Sequence, residues 1–152
     1  MEIIIQNADE STKIPLSEQI KEWVQCALGK ERSGELTVRI VGEIESAALN
    51  ERFRNVMGAT NVLAFPYDES PFEGSKESEL IGDLVVCAPV LEREAVAQDK
   101  ALSAHWAHIL VHGTLHLLGY DHQNIEDTKA MEERERDLLG SLGFEDPYES
   151  IE

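Results

Sequence analysis

Basic residues are scarce in this chain. Its 152 residues carry 13 lysines and arginines against 30 aspartates and glutamates, a formal net charge of −17. Such a balance keeps a protein soluble and repels nucleic acid at long range, so a polyanionic substrate would need local positive charge. The sequence permits that segregation. Asn124–Glu152 holds ten acidic and three basic residues, a net of −7, whereas Ala47–Tyr67 holds two arginines and one glutamate, a net of +1. Cysteine is equally sparse: Cys26 and Cys87 lie in apolar patterns and form no paired framework, which suits a reducing cytosol. No apolar run approaches the length of a membrane span, and MEIIIQNADE lacks a basic segment leading into an apolar one. The expectation is a soluble, cytoplasmic protein with no membrane partner. Neither an internal repeat nor a linker interrupts the chain, so residues 1–152 are read as a single domain. A chain of this size can bury roughly 68–70% of its unfolded surface.

What the sequence does have is histidine, concentrated in HILVHGTLHLLGYDH from His108 to His122. His112 and His116 are four apart, so on a helix they share a face one turn apart. His108 lies on the same stripe, but about 12 Å of helical rise separates it from His116, too far for both rings to reach one ion. A third ligand requires the chain to turn back. Gly119 tolerates the left-handed conformation that ends a helix, and Tyr120 and Asp121 give the length to return His122. The reading is a His₃ metal site, His112, His116 and His122, with an open fourth position. Metzincin peptidases use the same spacing, H-E-x-x-H-x-x-G-x-x-H, but the position of their glutamate base is Gly113 here, so that route to peptide hydrolysis lacks its base. Were the histidines only hydrogen-bonded on a buried helix, the spacing, Gly119 and the returning His122 would all be coincidental.

The rest of the chain reads as an α+β domain in the order βαβαββααα, a mixed, mostly four-stranded sheet packed with about five helices. Ile3–Ile5 suits a buried strand, and residues 16–28 an amphipathic helix with Trp23 in the core. Residues 36–41 alternate as a strand, with Arg39 on a solvated face. A second helix runs from about Glu45 to Asn55; Arg52 and Arg54 near its end also suit the helix dipole. Thr60–Pro66 is a strand stopped by proline, and residues 66–79 form a long loop without periodicity. Asp83 is expected in a turn with Gly82 before the strand Leu84–Cys87, and Pro89 opens a short helix to about Gln98. Ser103 is the expected N-cap of the histidine helix, whose apolar surround implies burial, with His105 a surface group or simple donor. The last helix, about Ile125 to Leu142, packs Thr128, Met131, Leu138, Leu139 and Leu142. Glu132, Glu133, Arg134, Glu135 and Arg136 are assigned to its solvated faces.

Several segments together resemble one family. HGTLHLLGYDH with the preceding AHWAHILV, LNERFR at Leu49–Arg54, TNVLAFP at Thr60–Pro66, GDLVVC at Gly82–Cys87 and GFEDPY near the C-terminus are similar, in order, to segments of the YbeY family of bacterial metal-dependent endoribonucleases. The resemblance implies a cytoplasmic, zinc-dependent enzyme cutting single-stranded RNA. Its implied role is ribosomal RNA maturation (the 16S rRNA 3′ end) and ribosome quality control, with the small ribosomal subunit rather than DNA as partner. It carries His112, His116 and His122 over as ligands and Arg54 as the arginine of the RNA-facing cleft. Where the family tends to have lysine and proline before TNVL, this chain has Gly58 and Ala59, one positive charge fewer.

The corresponding mechanism is phosphodiester hydrolysis by a metal-activated water, with Arg54 gripping phosphate oxygens. Asp121 is either a base or, preferably, a group orienting a ligand ring. The ribose 2′-hydroxyl is the alternative nucleophile. Two other classes stay open: a ribosome-binding assembly factor whose ion is structural and, against Gly113, a zinc peptidase-like hydrolase.

Overall fold

The computed structural model describes residues 2–10, 13–29, 34–67, 80–121 and 123–148. The expected 66–79 loop therefore lies almost wholly outside the described residues, and His122 lies outside them too. Among the described residues nine elements follow in the expected order: β1 (Glu2–Asn7), α1 (Ser17–Leu28), β2 (Glu35–Val41), α2 (Glu43–Arg54), β3 (Val62–Pro66), β4 (Leu80–Cys87), α3 (Ala88–Ala97), α4 (Leu102–Leu117) and α5 (Ile125–Ser141). The four strands form one mixed sheet in the order β1-β2-β4-β3. β1, β2 and β4 run parallel, and β3 closes the edge antiparallel to β4.

The periodicities explain the layering. Leu36, Val38 and Ile40 alternate along β2 and bury against α1 and α4, joined by Leu84 and Val86 of β4. The intervening residues Val85 and Cys87 face the other way and pack with Val41, Leu63 and Phe65 beneath Leu49 and Phe53 of α2. A central strand covered on both faces reads as a continuous apolar run, and LVVC is one. α4 is the axis of the larger core: Trp106, Leu110, Val111 and Leu115 are all but fully buried in it. No helix among the described residues is long and apolar enough to cross a membrane.

Three local expectations are corrected. α4 starts at Leu102, with Ala101 as an N-cap that makes no side-chain bond; Ser103 is already inside the first turn. Gly82 and Asp83 belong to β4, paired with Leu36 and Thr37, and form no turn. The strand needs glycine there: Gly82 has φ +153°, and a Cβ would stand 2.4 Å from the Phe65 carbonyl oxygen. Arg39 is not simply solvated, because its Nε and Nη2 donate to the two carboxylate oxygens of Glu45 at 2.6 and 2.9 Å.

Candidate metal centre

α2 and the start of β3 are fastened together before any functional group is placed. The buried Asn50 side chain donates to the Gly58 carbonyl at 2.9 Å. Ser46 Oγ accepts from Thr60 N–H at 3.0 Å and donates to the Thr60 carbonyl at 3.1 Å. Gly58 sits at φ +92°, a backbone conformation that suits glycine and accounts for its presence. This clamp aims the last turn of α2 across β3. Arg54 then donates from Nη2 to the Ala64 carbonyl at 2.8 Å and from Nη1 to the Phe53 carbonyl at 3.1 Å, with its guanidinium 4.8 Å from the Phe65 ring centroid. The stacked fork uses two of five N–H donors and remains solvent-exposed.

Arg54 faces a cleft of about 500 Å³ whose other walls include Ala64, His112, Gly113, His116 and Asp121. The rings of His112 and His116 are 4.7 Å apart. Gly119, at φ +104°, ends α4 in the left-handed turn that its position demanded. Arg54, His112, His116 and Asp121 thus share one cleft. Gly113 has a packing reason as well: a Cβ there would lie 3.0 Å from Leu84 Cδ2 and 3.1 Å from Val62 Cγ2, so α4 approaches the sheet closely only through glycine.

On the far side of His112 is a residue that sequence reasoning misplaced. Glu135, assigned to a solvated face of α5, is 0% exposed. Its Oε1 accepts from His112 Nδ1 at 2.6 Å, its Oε2 accepts from His108 Nε2 at 3.0 Å, and the Tyr148 hydroxyl donates to it as well. The signal was present, since Met131, Glu135, Leu138 and Leu142 recur at helical spacing along the apolar stripe. Burial alone would push the Glu135 carboxyl up, but the bonds from His108, His112 and Tyr148 hold it down at about 2. Burial and the adjacent carboxylate push the Tyr148 phenol well above its ordinary value. An ionised carboxylate only accepts, so His112 carries a proton on Nδ1 and His108 one on Nε2. Among the described residues Nδ1 of His108 is buried without a hydrogen-bond partner, which a bare lone pair tolerates better than an N–H would.

His105 is likewise no surface group. It is 2% exposed and donates from Nε2 to Glu94 at 2.9 Å, and burial lowers its pKa despite that carboxylate.

The donor chemistry fits a divalent transition metal on two counts. His112 and His116 put two imidazoles on one wall of the cleft, and neutral imidazole suits zinc and its neighbours. His108, His112 and Glu135 also bring one ligand atom each within 4.8 Å of one another, a group that could hold a metal ion once the ring protons facing the carboxylate were given up.

Comparison with known proteins bears on the same residues. The family model described as Endoribonuclease YbeY matches residues 4–143. This chain belongs to the YbeY family. The Endoribonuclease YbeY of Nitrosococcus oceani is 49% identical over 148 residues, covering 97% of this chain and 96% of that protein. That of Xylella fastidiosa strain M12 is 49% identical over 139 residues, covering 90% and 86% respectively. Among solved structures, the solution structure of TM1509 from Thermotoga maritima matches with a TM-score of 0.53 at 25% identity, over 97% of this chain and 99% of that one. The YbeY-family match spans the cleft, the strand β3 that walls it and α5, so Glu135 falls inside it along with the histidines.

Proposed function

We propose that this YbeY-family chain is a zinc-dependent endoribonuclease specific for single-stranded RNA, carried on residues 1–152 as one domain. We further propose that it works in the cytoplasm on ribosomal RNA, at the 16S rRNA 3′ end and in ribosome quality control, in contact with the small ribosomal subunit. One observation carries the reading: an anchored guanidinium and a pair of imidazoles face each other across one cleft of a strongly acidic protein. The proposed ligands are His112, His116 and His122. A bound divalent cation supplies Lewis-acid polarisation of the phosphate and makes coordinated solvent more acidic.

The chain's own residues do the rest. Arg54, fixed on Ala64 and backed by Phe65, has donors left for two phosphate oxygens and offsets charge that develops on them in the transition state. Its positive charge is local, and the acid of α5 lies mainly on other faces, so the phosphate is drawn to the cleft rather than to the protein at large. Gly113 supplies no base, and the carboxylate on the cleft wall is that of Asp121, assigned to orienting a ligand ring.

Elemental analysis of purified protein, paired with assays on single-stranded RNA, duplex RNA and casein with and without chelator, tests the proposal. Stoichiometric zinc and chelator-sensitive cutting of single strands alone are expected. Zinc that raises thermal stability without any RNA turnover would instead make the chain a ribosome-binding factor with a structural ion.

A further inference from the structure

The C-terminal turn, which the cleavage reading leaves unused, is built to deliver one hydroxyl. Asp146 accepts from the Tyr148 backbone N–H at 2.8 Å and from Arg136 Nε at 3.2 Å. The Arg136 guanidinium in turn covers the Tyr148 ring, 5.4 Å from its centroid. So held, Tyr148 reaches inward between α4 and α5, its ring set edge-on to His108 at 5.4 Å, and its hydroxyl meets Glu135. Of the groups that touch the carboxylate, Tyr148 is thus itself held in place, by Arg136 of α5 and by Asp146.

We propose that Glu135 is a positioning residue, clamped by Tyr148 and His108, that accepts the hydrogen bond from Nδ1–H of His112 and so commits His112 to offer Nε2 to a cation in the cleft. An imidazole binds a metal through its unprotonated nitrogen, and an anion on the opposite nitrogen fixes the tautomer, fixes the ring plane and raises its basicity. Glu135 at 2.6 Å from Nδ1 supplies all three effects. In this reading the carboxylate is a hydrogen-bond acceptor for three donors and not itself a ligand. The C-terminal turn becomes part of the metal centre although it lies outside the cleft.

The proposal rests on His112 being a ligand, as put forward above, but its test never reads RNA cleavage. Long-range ¹H–¹⁵N NMR of the metal-free protein should show His112 as the Nδ1–H tautomer, and Glu135→Gln should abolish that preference. In chelator competition, Glu135→Gln should weaken zinc binding about 10–100-fold, and Tyr148→Phe should weaken it less, by up to about tenfold. X-ray absorption on the zinc protein should show imidazole ligands without a Glu135-dependent carboxylate. An Nε2–H tautomer in the wild-type protein would overturn the proposal, and so would unchanged zinc affinity in Tyr148→Phe with the circular dichroism spectrum intact. A carboxylate ligand lost in Glu135→Gln would overturn it too, by making Glu135 a direct ligand. Because the NMR and Tyr148→Phe measurements do not need the Glu135 variant to fold, the proposal stays decidable if that variant is unstable. An RNA assay that failed while these held would count against the nuclease reading alone.

Discussion

At the residue scale, Gly113 joins packing to chemistry. The position that carries a glutamate in metzincin peptidases is pressed against Leu84 and Val62, with 3.0–3.1 Å available to a Cβ. Replacing it by valine should cost about 1–3 kcal/mol through overpacking, read from the urea midpoint, and β3 should shift at the cleft wall. Arg54 is the residue whose role is most exposed to test. Arg54→Ala should lower RNA cleavage about 10²-fold while zinc content stays at the wild-type level. Arg54→Lys should rescue little, because an ammonium cannot keep both carbonyl bonds and still offer a fork to phosphate. His105 carries a pH signature. Its ring is buried beside Glu94, with Lys100 and His108 also acting on it, and its pKa is lowered from 6.5. The unfolded chain therefore takes up a proton first as pH falls. The stability at stake is fully present above about 6.5 and is lost as pH drops below that value. Urea unfolding at pH 7.5 and 5.5 should show a decline that His105→Gln shares only in part.

At the scale of elements, β3 and β4 show how a sheet edge becomes a cleft. Gly82 lets the Phe65 carbonyl approach to a distance no side chain would allow, and this pairs Pro66 with Gly82 at the end of β3. Gly82→Ala should cost about 3 kcal/mol and loosen hydrogen-exchange protection in β3 first, since the clash is with backbone that cannot rotate away. The element order was legible in the sequence because each element keeps one period: 36-38-40 along β2, 20-23-24-27 along α1 and the apolar surround of α4. What misled sequence reading on α5 was residue type. A glutamate in a run of charged residues looks solvated, yet Glu135 occupies the same stripe as Met131 and Leu138, and only partners from α4 and the C-terminal turn make its burial tolerable. His105 was legible as a donor, but its burial was not, because the carboxylate that satisfies it comes from α3. Ser103 failed as a cap because Leu102 and its neighbours pack into the core and set where α4 begins, overriding capping preference.

Across the whole molecule, the surplus of acid sets the terms on which any polyanion is met. With a net charge of −17 and Arg54 as the cleft's anchored cation, few phosphates can be neutralised. The affinity for single-stranded RNA should then fall with salt on a log–log slope of only about −0.7 to −2, as expected for one to three phosphate contacts. Arg54→Ala should flatten that slope by about 0.7, measured by fluorescence anisotropy across a salt series. A steep slope would mean a basic surface elsewhere that the charge distribution does not suggest.

The sequence by itself determined the α+β order and the helix that carries the histidines. It also determined the glycine that ends that helix and the arginine-bearing segment before β3, because all of these are written in short-range periods and in backbone conformations few residues adopt. Only the tertiary structure decided that Arg54 and the histidines share a cleft, and that Glu135 and Tyr148 stand behind His112. Those contacts join residues dozens of positions apart, and a buried charge is stable only where folding has already gathered its partners.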